Sequence, residues 1–243
     1  MQKVAFLSGN MLKIIAALAM VVDHVGVIFF PKLVIFRMIG RLSFPIFAFM
    51  ISEGCKHTKS RLRYFLTIAL SAAVFQIVYF FALGKLEMCI FVTFSISILL
   101  IYALDFLKES LFDPNSDLVR KLLAAVLFVG GVSAAFVIDF FVDLDYDFAG
   151  CMVPVFASLF HSTKSSPEIL ARLDNKYTKV IAISAGLLCL AFANREIQFL
   201  SLLTILLFLL YSGKRGRLKL KYFFYVFYPA HLVILYGISM LLK

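Results

Sequence analysis

Tryptophan is absent from this 243-residue sequence, prolines number only 6, and charged side chains make up 16% of it. A soluble domain carries about a quarter charged residues, so the deficit excludes an ordinary globular enzyme with a wet surface. No polar block is long enough to fold as a separate soluble domain, and neither an internal repeat nor a low-complexity tract is visible. The four cysteines, Cys55, Cys89, Cys151 and Cys189, are widely spaced, with no C-x-x-C pair. That spacing argues against a disulfide framework or a metal site and leaves four small apolar thiols. The N-terminal apolar run contains Asp23 and His24, and no small-x-small cleavage pattern follows it. We expect it to be retained as the first span rather than removed as a signal.

What is present is hydrocarbon. Hydrophobic residues make up 63% of the chain and its mean hydropathy is +0.98, which implies an all-α, polytopic membrane helix bundle organised as one integral membrane domain, 1–243. A crossing helix needs about 20 largely apolar residues. On that basis the sequence predicts about nine spans, at 12–30, 34–52, 64–83, 89–107, 121–141, 147–161, 178–193, 197–212 and 222–241.

The net charge of +10 does not point to nucleic acid, because the basic residues sit in short connectors between apolar runs. There they set orientation and attract anionic headgroups, or hold an anionic ligand. Lys56, Lys59, Arg61 and Arg63 follow the second span, and Lys108, Arg120 and Lys121 the fourth. Lys164, Arg172, Lys176 and Lys179 follow the sixth, and Lys214, Arg215, Arg217, Lys219 and Lys221 the eighth. The alternate connectors hold only Lys32, Lys85, Arg195 and the acidic run Asp143, Asp145, Asp147. The expectation is a cytoplasmic N-terminus, an extracytoplasmic C-terminus and residence in the inner membrane. With no tryptophan, Tyr64, Tyr177, Tyr211 and Tyr222 are the candidates for an interfacial belt.

Ionisable residues inside the apolar runs are the candidate site, since each costs roughly 2.5–3.5 kcal/mol at the bilayer centre. Asp23, His24, Arg37 and Arg41 fall within twenty residues of one another. Lys13 and His24 are eleven residues apart, about 16 Å and about 1,100° along a helix, which leaves both on nearly one face. A cation at the mouth and an imidazole deep on the same stripe suit an elongated anionic ligand such as a coenzyme A thioester. An orientation anchor and an interhelical hydrogen-bond donor account for the pair equally well.

Asp23 adjoins His24 but points roughly 100° away, so its expected partner is Arg37 or Arg41. Those arginines, four apart, share a face and could pair Asp23, stabilise developing negative charge, or bind an acceptor's carboxylate. Gly40, Ser43 and Pro45 interrupt the second span. Glu53 caps or gates its exit, and His231 deep in the last span is a proton partner, a ligand contact or a packing residue. His57 and His161, at loop ends, are expected to carry no chemistry. The acidic run ending at Asp147 lacks the spacing of a calcium loop. It reads as a polar loop or as a rim that recruits a cationic amine acceptor. No metal is expected.

The segments LKIIAALAMVVDHVG, RMIGRLSFPIFAFMISEGCKHT, DLDYDFAGCMVPVF and KYFFYVFYPAHL, in that order, resemble the TraX family, membrane proteins named for acetylation of conjugative pilin. They resemble more distantly the integral membrane acyltransferases that use coenzyme A. The resemblance runs from residue 11 to about 233. It implies that His24 is the catalytic histidine, with Lys13 on the route of the acetyl-CoA co-substrate. Arg37 and Arg41 match the family's arginines by position, a Thr93 block is matched loosely, and Asp147 stands where the family's DYG block has glycine. The function so implied is acetyl transfer to an amine or hydroxyl of an extracytoplasmic acceptor, a pilin-like protein N-terminus or a glycan. The site would be His24, Asp23 and Arg41, with Lys13, Arg37, Glu53, His231 and Asp147 on the substrates. Two other readings stay open on the residues alone: a proton-coupled transporter whose relay is Asp23, His24, Arg41 and His231, and an assembly protein without chemistry.

Overall fold

The structure is a computed structural model that describes residues 5–83, 88–194, 196–217 and 223–242. Lys85, Arg195, Lys219, Lys221 and Tyr222 lie outside the described residues. Among the described residues the chain is all-α, with no strand beyond two isolated bridges, Leu7 to Tyr211 and Met88 to Leu144.

Among the described residues, seven helical stretches are long and apolar enough to cross a membrane: Gly9–Phe29, Val34–His57, Arg61–Phe81, Ile90–Phe112, Leu118–Phe141, Lys176–Asn194 and Phe223–Leu241. Of the about nine spans expected from hydropathy, two fall on shorter elements. The expected sixth is a helix of 11 residues, Asp147–Ala157, which rises about 16 Å, half of a hydrocarbon core of about 30 Å. It begins at two consecutive left-handed residues, Tyr146 and Asp147 with φ of 66° and 56°. Such backbone is adopted by glycine without strain and by aspartate at a cost. The expected eighth is divided between a 3-10 segment, Glu196–Leu203, and a short helix, Thr204–Leu209. Hydropathy counts apolar residues but is blind to where the backbone tightens.

We number the helices α1 (Gly9–Phe29), α2 (Val34–Gly40), α3 (Ser43–His57), α4 (Arg61–Leu83), α5 (Ile90–Phe112), α6 (Leu118–Phe141), α7 (Asp147–Ala157), α8 (Glu168–Leu173), α9 (Lys176–Asn194), α10 (Thr204–Leu209) and α11 (Phe223–Leu241). The second predicted span is broken as its sequence implies. α2 stops at Gly40, and α3 starts at Ser43 with Pro45 in its first turn, where a missing N–H would find no helical partner anyway.

Internal contacts divide the chain into two compact units, Met1–Met50 with Ala191–Lys243, and Ile51–Leu190. In the first, α1 packs against α2 and α11. Its N-cap is Ser8, whose side chain accepts from the Met11 amide. Leu12, Ala16, Ala19 and Met20 form its buried stripe, at the i, i+4, i+7 spacing of one helical face. Two glycines set the closeness of α1 and α2. A Cβ on Gly26 would run into Phe36 of α2, and one on Gly40 would run into Asp23 of α1. Small residues at such crossings let backbones approach where lipid supplies no hydrophobic drive. Tyr211 is not part of an interfacial belt: it is buried, edge-on to Phe49 at 5.6 Å, while Phe49 stacks on Phe208 at 4.6 Å.

In the second unit α5 is central, packing against α4, α6 and α7. Ile98 and Ile101 are fully buried. Ser97 Oγ donates to the Cys151 carbonyl at 2.8 Å, and Thr93 Oγ1 to the Asp145 carbonyl at 2.8 Å. These hydroxyls tie the start of α5 to the turn and helix at 145–151. α6 buries only Ala124 and Ala135 and exposes a run of large apolar side chains that includes Val126, Val129, Phe136 and Phe140. Lipid tails solvate such a face at no cost.

Candidate functional site

The first unit gathers most of the ionisable residues singled out above. His24 lies one turn before the end of α1 and His231 in the middle of α11, and their rings meet edge-on with centroids 4.9 Å apart. The hydrogen bonds determine which nitrogen carries the proton in each ring. His231 Nδ1 lies 3.0 Å from the Phe227 carbonyl and, because a carbonyl only accepts, must donate to it. In the neutral ring His231 Nε2 is therefore an acceptor, and it faces His24 Nδ1 at 3.2 Å. His24 Nδ1 in turn lies 2.8 Å from the Met20 carbonyl, so it too carries the proton. The basic nitrogen of neutral His24 is Nε2. The Met20 carbonyl fixes the tautomer of His24, and the second imidazole, an acceptor facing the same N–H, is consistent with it.

Asp23, the next residue, turns to α2, where Arg37 Nη1 donates to its Oδ2 at 2.7 Å. The other oxygen, Oδ1, is buried without a hydrogen-bond partner. Arg41 is the C-cap of α2 and its amide still donates to the Arg37 carbonyl at 3.2 Å, so the two arginines stand one helical turn apart while their side chains take different partners. Arg41 Nη1 donates to Gln198 Oε1 at 3.0 Å, and Arg41 is near enough to Asp23 for the charges to interact. Gln198 is 2% exposed and its Nε2 has no partner. Nothing in the sequence marked Gln198, because a glutamine in a short apolar run 157 residues from Arg41 has no local signature. Lys13 is half-buried near the start of α1, its Nζ 5.8 Å over the Phe224 ring.

Glu53 and Asp147 belong to the second unit. Glu53, in α3, is buried against Lys179 of α9 at 2.6 Å, with His57 at 3.7 Å. Lys56 binds Asp174 at 2.6 Å, and Asp174 also accepts from the Ser162 amide and hydroxyl. Burial alone would raise the Asp174 carboxyl, but the hydrogen bonds from Lys56 and Ser162 outweigh it and hold the group well below the usual carboxylate range. Asp147 is exposed at the first position of α7.

His161, expected to lie idle at a loop end, is 2% exposed. Ser158 Oγ donates to the Pro154 carbonyl, so Ser52 Oγ donates to Ser158 at 2.8 Å, and His161 Nε2–H donates to Ser52 at 3.3 Å. Its Nδ1 is buried without a partner, and Lys108 Nζ binds the Ser158 and His161 carbonyls. Burial, and after it the charge of Lys179, pushes the imidazole down to about 2. It is a neutral packing group, not a base.

Membrane-length helices mark an integral membrane protein, whose first unit carries an imidazole pair and an arginine–aspartate ion pair. The chain belongs to the TraX family, whose profile, described as "TraX protein", matches residues 8–239. It is also 45% identical over 40 residues to an uncharacterized protein, RP591, of Rickettsia prowazekii (strain Madrid E). That similarity covers 16% of this chain and 16% of the length of its relative. No solved structure matches the chain.

Proposed function

We propose that the protein is an integral inner-membrane acetyltransferase that uses cytosolic acetyl-CoA and passes the acetyl group to an amine or hydroxyl beyond the membrane, on a pilin-like N-terminus or a glycan. The single observation that carries this reading is the His24–His231 pair, which commits Nδ1 of His24 to hydrogen bonding and makes Nε2 its base. In the reaction Nε2 takes the proton of the acceptor as its nitrogen or oxygen attacks the thioester carbonyl. The carbon–sulfur bond then breaks, and the proton passes to the departing thiolate. The Arg41 guanidinium and the Gln198 amide are suited to the developing oxyanion, a contribution often worth several kcal/mol. The Arg37–Asp23 pair positions the end of α1. The basic connectors face the cytoplasm in this scheme, and Lys13 stands on the donor's route.

The test is release of free thiol from acetyl-CoA by the purified protein in lipid nanodiscs, with acetyl transfer to a peptide amine. His24→Ala should abolish both; full activity in that variant removes the role assigned to His24. The 3.2 Å contact between the imidazoles is also what a proton relay requires. Substrate-dependent proton flux in liposomes without acetyl-CoA turnover would decide for a transporter.

A further inference from the structure

The charge of the chain is not shared between its units. Residues 1–50 and 191–243 carry twelve lysines and arginines against two acids, Asp23 and Glu196, whereas residues 51–190 carry twelve of each sign. The whole excess of +10 belongs to the first unit, and there Asp23 is already taken by Arg37.

Some of the remaining cations are held together by design of the backbone. Residues 210–215 are laced to the start of α1: the Leu7 amide donates to Leu210 at 3.0 Å, Ser212 to Leu7 at 2.9 Å, Gly9 to Lys214 at 2.8 Å and Asn10 to Arg215 at 2.9 Å. Gly213 and Gly216 adopt φ of 72° and 96°, and a Cβ on Gly216 would press on Ser8 and Asn10. The loop is therefore fixed, and it fixes Arg215 beside the first turn of α1. Lys13 stands three residues after Asn10 on the same helical face, and Asn10 is the residue whose amide holds the Arg215 carbonyl. Among the described residues, neither Lys13, Lys214 nor Arg215 makes a salt bridge. Like charges gathered without a carboxylate repel one another, and a bound anion removes that repulsion.

We propose that Lys13 and Arg215, with Lys214 at the rim, form a binding site for a phosphate or diphosphate group. Phosphate suits this set because guanidinium and ammonium donors bind its oxygens through charge-assisted hydrogen bonds. Two sources share the chemistry, the phosphates of a soluble nucleotide-like cofactor and the headgroup of an anionic lipid. If the acetyl-CoA reading above holds, this is where the coenzyme's diphosphate sits; that assignment rests on the reading, while the anion site does not. Eleven residues of helix, about 16 Å, separate Lys13 from His24, a length comparable with an extended pantetheine arm.

The experiment uses the full chain in neutral phosphatidylcholine nanodiscs. Binding of pyrophosphate and of adenosine 3′,5′-bisphosphate is measured by calorimetry, and binding of phosphatidylglycerol by its retention through purification. Variants Lys13→Gln and Arg215→Gln are compared with Arg63→Gln, which lies in the second unit. Thermal unfolding without ligand establishes that each variant is folded; the exposed Arg215 side chain takes no part in the backbone lacing. Weakening of soluble-anion binding by about tenfold in each of the two site variants, and not in Arg63→Gln, supports the site with a soluble phosphate as its ligand. Loss of phosphatidylglycerol retention in the same two variants supports it with a lipid as its ligand. No binding of either kind by the wild type, or equal binding by all variants, overturns it. Anion binding without acetyl-CoA turnover would leave the site standing and remove the acetyltransferase; turnover with an unchanged KM in Arg215→Gln would do the reverse.

Discussion

Replacing Gly40 by alanine adds one methyl group at the closest approach of α1 and α2. The new Cβ would overlap Oδ1, Cγ and Cβ of Asp23. A rotamer change can withdraw the carboxylate but not the Asp23 Cβ, which is fixed to the backbone of α1, so the helices themselves must part. Overpacking of this kind costs about 1–3 kcal/mol. Parting them also loosens the 2.7 Å bond from Arg37 to Asp23. That charge-assisted bond is worth about 1.5–3 kcal/mol at full strength and less here, because Arg37 is 39% exposed. Against these stands a gain of at most about 1 kcal/mol from helix propensity, smaller still at the last residue of α2. The net expectation is a destabilisation of about 1–3 kcal/mol, with loss of the proposed acetyl transfer. Gly237 is the internal control. It lies in the same unit inside α11, with nothing within 4 Å of the position its Cβ would take, so Gly237→Ala should stabilise by up to about 1 kcal/mol. Thermal unfolding of both variants in one detergent reads the difference in sign. If Gly40→Ala unfolds at or above the wild-type temperature, the packing argument for the α1–α2 crossing is wrong.

His231→Phe should lower kcat by about 10–100-fold with little change in KM, since it removes the acceptor that orients His24, while His231→Gln should restore part of the loss; equal activity in both would refute the tautomer argument. The His161 imidazole, depressed from 6.5 to about 2, binds a proton more readily unfolded than folded. Its stabilising contribution is complete above pH 6.5 and declines as the pH falls, by about 2 kcal/mol at pH 5. Unfolding midpoints between pH 7.5 and 5 should show this fall, and His161→Gln should flatten it. Asp174, held below its ordinary value, adds a loss of the same sign only at lower pH, below the range of unfolded carboxylates. Glu53→Gln leaves Lys179 with only the longer 3.6 Å contact to Asp174 and should cost about 2–3 kcal/mol by denaturant or heat; an activity loss without a stability loss would mean that Glu53 touches substrate. Asp147→Gly relieves one left-handed residue and should raise stability by about 0.5–1 kcal/mol, read as a higher unfolding temperature.

What could be read from the residues alone divides along the line between local and distant relations. Hydropathy located each membrane-length helix to within a few residues, because a span is a property of twenty neighbours. It misjudged 147–161 and 197–212, where apolar composition continues but a tight turn after Ala157 and a 3-10 stretch shorten the regular helix. The cost of a lone buried charge correctly required a partner for Asp23 and named Arg37 or Arg41 as candidates; the geometry chose Arg37. The same rule could not find Gln198, Lys179 or Asp174, since the contacts they make span more than a hundred residues of sequence.

The two histidines at membrane depth illustrate where such reasoning changes character. Their presence in α1 and α11 is visible in the sequence, but 207 residues separate them and no periodicity relates them. Once the rings are in contact, two carbonyls one turn back, Met20 and Phe227, suffice to assign every proton on both neutral rings. Each carbonyl is a helical acceptor that also takes a ring N–H, and that choice is available to any histidine four residues further along a helix. The i to i−4 contact is therefore local and readable in principle, whereas the direction of the proton between the rings is a property of the pair. The base at Nε2 of His24 follows from the Met20 contact, and the His231 ring adds a second acceptor facing the same Nδ1–H.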